Sequence, residues 1–222
     1  LGTAQLWMNS GKVFSEMHLI LIYYGIALQQ LTQDETINFD DEIKDCTSSL
    51  NSLLNKKGST SLDSKFGSGF TSAIDETAKI VMKWASDTYR RSELEKVFAD
   101  DGKDIRKFMM QLRSVSVYGY KKLLDREEEE ASIYFDDMLK KQKDVVASTL
   151  LKERQMQFAS ELKERRAILA SYSQKMDNII AAHEALMELA WRGNLDVETL
   201  VTEVRLLVTD IYTIRDSFEV VE

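Results

Sequence analysis

The sequence predicts an all-α protein: an elongated antiparallel helical bundle with coiled-coil-like packing, five or six helices and one of them very long. Three observations point there. No proline occurs among the 222 residues, where average usage of about 5% would place roughly eleven. Proline is excluded where long helices tolerate no break in the backbone ladder. Hydrophobic residues make up 44% and charged residues 30%, a balance suited to amphipathic helices. Apolar side chains also recur at steps of three and four over long stretches.

The first helix carries two such seams. Leu6, Ser10, Val13, Met17, Ile20, Tyr24, Ala27 and Leu31 follow heptad spacing, and Trp7, Phe14, Leu21 and Leu28 lie seven apart beside them. Two adjacent seams make a helix apolar over much of its circumference, the mark of a central bundle helix. Its nearly continuous apolar run, Met17 to Leu28, spans about 18 Å. That is short of the ~30 Å of a hydrocarbon layer, so the run is no membrane span.

A second helix is expected after Asn38, with Asp41 completing an acidic variant of the capping box. Phe39, Ile43, Cys46, Leu50 and Leu53 form its apolar face, and Lys56-Lys57-Gly58 its basic, glycine-terminated end. Residues 58–69, GSTSLDSKFGSG, read as a flexible internal linker. A third helix is expected from Phe70 to Ala99, with Phe70, Ile74, Val81, Trp84 and Phe98 on one stripe and a stop at Asp100-Asp101-Gly102.

From Lys103 to Arg192 the only glycine is Gly119. One unbroken helix of that length would exceed roughly 130 Å. A bend or break is placed near 121–132, KKLLDREEEEAS, where lysines precede and acids follow a junction; the helix-forming residues there equally allow no break. Downstream, LLKERQMQFAS (150–160) and ELKERRAILAS (161–171) repeat at a period of eleven, which favours a nearly straight rod. Arg192-Gly193-Asn194 ends it and Asp196 caps the last helix, whose seam is Val197, Leu200, Val204, Leu207, Ile211, Ile214, Phe218 and Val221. So short a connection folds that helix back antiparallel on the rod. The whole of 1–222 is thus expected to be a single helical domain.

Charge and composition exclude several functions. A net charge of −8 and a pI near 5.0 speak against a nucleic-acid partner, which requires a basic surface. They also weaken an anionic membrane as partner. The single cysteine makes no internal disulfide, so the redox compartment is not written in the sequence. The chain opens at Leu1 rather than Met, so an upstream segment is expected to have been removed. Envelope and cytoplasm are not told apart by these residues.

Candidate chemistry is sparse. The two histidines, His18 and His183, follow Ser15 and Ile180 at the third position back, so neither completes the Glu-x-x-His of a di-iron bundle. Two imidazoles and one thiol do not readily build a zinc site. His183 continues the seam Met176, Ile180, His183, Met187 and reads as a core histidine. His18 is in register with Gly11 and Gly25, which suggests close helix packing on small residues rather than a ligand groove.

Cys46 reads as a small core residue rather than a nucleophile. Gly67-Ser68-Gly69 lacks the lysine and preceding strand of a phosphate loop. The acidic run Asp125–Glu130 reads as a solvated face rather than a cation site. Basic residues gather in Lys140, Lys141, Lys143, Lys152, Arg154, Lys163, Arg165 and Arg166, interleaved with acids, as an exposed face with intrahelical ion pairs. Met156 and Phe158 among them are assigned to the core. No catalytic, cofactor-binding or metal-binding residue is therefore assigned. The expected function is non-enzymatic: an interaction or structural protein that binds another protein through a helical face, with self-association left open. The alternative is a membrane-acting helical protein, curvature-binding or pore-forming.

Overall fold

In the computed structural model, residues 2–33, 94–192 and 197–219 are described, together with 48, 74, 76–81 and 83. The second helix apart from Ser48, the 58–69 linker and Cys46 lie outside the described residues. Every described residue except Gln142, Lys143 and Asp144 is helical. The protein is an all-α bundle. Four helices are seen whole: α1 (Gly2–Gln33), α2 (Leu94–Lys141), α3 (Val145–Arg192) and α4 (Val197–Glu219). By packing, the chain divides into two compact units, Leu1–Arg113 with Lys175–Glu222, and Ser114–Gln174.

The first unit holds most of the buried apolar side chains. From α1 come Met17, Ile20, Leu21, Tyr24, Ala27, Leu28 and Leu31, so both predicted seams face inward from Met17 on, while Phe14 is half-buried. Leu94, Phe98, Ile105, Phe108, Met109 and Leu112 join them from α2, and Met176, Ile179 and Leu186 from α3. Leu200, Val204, Leu207, Ile211 and Ile214 of α4 complete the core along the predicted seam. A side chain of this size, fully buried, contributes roughly 1.5–3 kcal/mol.

Two glycines mark close helix approaches. A Cβ on Gly25 would lie 3.1 Å from Ile211 Cγ2, so α1 and α4 touch there nearly backbone to side chain. One on Gly102 would lie 2.7 Å from Met187 Cγ. Gly102 is therefore not the helix stop that Asp100-Asp101-Gly102 suggested. α2 runs straight through it, because the missing side chain serves the contact with α3.

Helix α2 also passes unbroken through 121–132. The interruption falls later, at Gln142–Asp144, so the stretch 103–192 belongs to two helices of 48 residues each, the first of which already begins at Leu94. Asp144 caps α3: its Oδ1 accepts from Ala147 N at 2.9 Å, and its carbonyl accepts from Ser148 N at 2.9 Å. The Gln142 side chain accepts from Asp144 N at 3.0 Å and closes the turn. Lys140 and Lys141 fill the last turn of α2, where cations favour the helix dipole.

The second unit is the antiparallel hairpin formed by 114–141 of α2 and 145–174 of α3. Counting outward from the turn, Phe135 meets Phe158, with ring centroids 6.3 Å apart, and Glu127 meets Arg165. Its buried apolar residues are few: Val115, Leu124, Phe135, Leu162 and Tyr172. Two helices alone cover one side of each other and leave the other sides in water.

Candidate functional site

Among the described residues of the first unit, the one buried polar cluster containing an imidazole centres on His183, which has no exposed surface. Tyr24 of α1 donates its hydroxyl proton to His183 Nδ1 at 2.8 Å, and His183 Nε2–H donates to the Gly102 carbonyl of α2 at 2.8 Å. That tautomer follows from the carbonyl, which only accepts. Phe98 and Tyr24 pack on the ring with centroids 5.6 and 5.8 Å away. Burial lowers the imidazole pKa to about 4, against the smaller raising effect of the Gly102 bond and of Glu184; Arg106 adds to the lowering. Burial likewise pushes the Tyr24 phenol well up. A neutral imidazole with both nitrogens bonded ties three helices together and has no lone pair left for a ligand.

His18 is half-buried, with Nδ1 bonded to the Phe14 carbonyl at 2.6 Å. Burial lowers its pKa to about 4 as well, opposed by that bond. An open depression of about 430 Å³ lies beside this core, lined by Lys103, Arg106, Glu184, Met187, Glu188 and Trp191. Arg106 pairs with Glu184 across it. Lys103 Nζ stands 4.9 Å over the Trp191 ring, and Trp191 Nε1 donates to the Ala99 carbonyl at 3.4 Å. Each charged wall group with a cross-helix partner is thus committed to that partner, and no nucleophile–base pair lines the depression. Among the described residues no group of three His, Cys, Asp or Glu is placed to hold a metal ion.

The hairpin unit brings together residues that the sequence reading kept apart. Arg165 makes a bidentate pair with Glu127, at 2.5 and 3.2 Å, and donates from Nε to the Tyr120 hydroxyl at 3.1 Å. The Glu127 and Tyr120 bonds raise its pKa further above the ordinary guanidinium value. Arg166 reaches Asp125 at 2.9 Å and Glu128 at 2.6 Å. Three acids of the run, Asp125, Glu127 and Glu128, thus clasp α3, while the run as a whole stays on the exposed face that the sequence suggested. Of the basic residues of 140–166, Lys141 with Asp137 and Arg154 with Glu161 pair within a helix, as the interleaved charges suggested, whereas Arg165 and Arg166 pair across helices.

Exposed apolar side chains concentrate toward the turn of this hairpin. Of thirteen large apolar residues that stand exposed among the described ones, seven fall between 133 and 156: Ile133, Tyr134, Met138, Val145, Val146, Leu150 and Met156. Val145 is 79% and Val146 70% exposed, directly after the turn. Met156, assigned to the core by its spacing, is 73% exposed; a two-helix hairpin has no third layer to cover it. Phe158 is half-buried against Phe135.

The same stretch, 133–156, carries Lys140, Lys141, Lys143, Lys152 and Arg154 against Asp136, Asp137, Asp144 and Glu153, a net of +1 in a chain of −8. No helix among the described residues is long and apolar enough to cross a membrane. Compared with known proteins, the chain matches no family model, no curated protein and no solved structure.

Proposed function

We propose that this is a non-enzymatic interaction protein that binds another protein through the turn end of its α2–α3 hairpin. One observation carries the reading: more than half of the exposed large apolar side chains gather in 133–156. Scattered surface apolar residues need no explanation, whereas their gathering at one end of a hairpin supports a docking surface there. Capping by Asp144 and the Phe135–Phe158 contact order this end of the hairpin, which lowers the cost of association.

The test is a double substitution, Val146→Asp with Leu150→Asp. Both side chains are exposed, so helix content and melting should stay near those of the parent. In extracts of its source cell, the tagged parent chain should run as a complex larger than its 25.5 kDa. The double variant should run free. An intact complex in the double variant overturns the assignment. A second reading, contact with a membrane surface, draws on the valine pair beside the turn lysines, and predicts that the same variant loses vesicle binding instead.

A further inference from the structure

Independently of the docking reading, we infer that α1 is an acid-released helix. The Tyr24–His183 bond is its latch, which opens when the imidazole takes up a proton and uncovers the apolar seams of α1 while α2 and α3 stay together. One reason is the kind of tie that holds α1. Residues 17–33 contain no Asp, Glu, Lys or Arg, so no ion pair can fasten this part of the helix. Its described side-chain ties to α3 and α4 are neutral hydrogen bonds, Tyr24 with His183 and Gln29 with Tyr212, each at 2.8 Å. Helices α2 and α3 are also joined by charge, through Arg106 with Glu184 and Arg113 with Asp177.

The direction of the two bonds at the ring is a second reason. The neutral imidazole accepts from Tyr24 at Nδ1 and donates to the Gly102 carbonyl from Nε2. An imidazolium donates at both nitrogens. Its bond to Gly102 becomes charge-assisted and stronger, whereas Nδ1–H now meets a hydroxyl that was itself the donor. Proton uptake thus tightens the ring onto α2 and sets it against α1. The surroundings supply a third reason. Among the described residues two charged groups act on the ring, Arg106 of α2 and Glu184 of α3, opposite in sign and paired with each other. With no charge on 17–33 to add, a buried imidazolium is relieved by water, which the departure of α1 admits.

Burial holds the closed imidazole at about 4 against 6.5 in water, so the open form takes the proton first. Opening is favoured progressively as pH falls from 6.5 to about 4. Between pH 7 and pH 4.5 the opening equilibrium rises roughly fiftyfold. His18, on α1 itself, is shifted in the same direction and adds to the rise. Release uncovers Met17, Ile20, Leu21, Leu28 and Leu31, all buried in the closed form.

Amide hydrogen exchange of the full chain, corrected for the intrinsic rate at each pH, tests the latch. Protection across 17–31 should fall about fiftyfold or more between pH 7 and pH 4.5, while 105–112 of α2 and 176–187 of α3 change less than about threefold. The fiftyfold fall should remain in His18→Gln. In His183→Gln, whose amide can still accept from Tyr24 and donate to Gly102, only the His18 share should remain. Tyr24→Phe, which removes the hydroxyl and keeps the ring, should lower protection of 17–31 about fivefold at pH 7 already.

Joint loss of protection in all three segments overturns the inference, because proton uptake then unfolds the unit instead of releasing one helix. An undiminished response of 17–31 in His183→Gln overturns it too, as does a Tyr24→Phe chain protected there as well as the parent. Should His183→Gln fail to fold, the parent profile and Tyr24→Phe still decide.

Discussion

His183 joins α1, α2 and α3 through one ring, and its protonation is the residue-scale lever on this protein. Its folded pKa of about 4 lies below the ordinary 6.5, so the unfolded chain takes up the proton first. Stability is complete above pH 6.5, declines as pH falls, and levels off near pH 4 as far as this group is concerned. A separation of 2.5 units corresponds to about 3 kcal/mol. Chemical denaturation at pH 7 and pH 4.5 should show the loss, and His183→Gln should flatten that part of the profile. His18, shifted in the same direction, adds a slope of the same sign. Leu21, 1% exposed, tests the core directly: Leu21→Ala should cost roughly 2–5 kcal/mol and leave vesicle binding unchanged.

At the scale of the helices, the turn and the close approaches decide the arrangement. Asp144→Ala removes the cap of α3 and should cost about 1 kcal/mol by thermal melting. Gly102→Leu should cost about 1–3 kcal/mol by overpacking Met187, and Met187→Ala in the same chain should recover part of it. These sites also show what a sequence discloses. The α1 and α4 seams were legible because burial on one side of a helix imposes a heptad spacing. In α3 the fully buried position is Ile179, not Ile180, so the seam was legible to within one residue.

Gly102 was misread because a glycine after two acids looks like a stop until a facing side chain is known. The true turn contains neither glycine nor proline, and Lys, Gln and Lys all form helices well. Its visible signal was Asp144 following three lysines and preceding two β-branched residues. The exposed surface near the turn was not legible at all. Whether Met156 is covered depends on how many helices surround it, which periodicity does not encode.

At the scale of the whole molecule, the two units are held by different forces. The first has a dense apolar core; the second has five buried apolar residues and an arginine clasp. Ion pairs whose side chains are a third or more exposed contribute about 0–1 kcal/mol each and weaken with salt. Their firmer contribution is to register, since a bidentate Arg165 fits Glu127 in one alignment of the helices. Helix α2 belongs to both units without a break, so the covalent and hydrogen-bonded ladder is uniform while the free energy of opening it is not. Amide hydrogen exchange should therefore show a step inside one continuous helix. Amides of 94–113 should exchange only through the largest openings, and those of 114–141 through smaller and more frequent ones. Added salt should hasten exchange beyond residue 114 and leave the earlier amides nearly untouched, so that a single rod of 48 residues keeps two clocks.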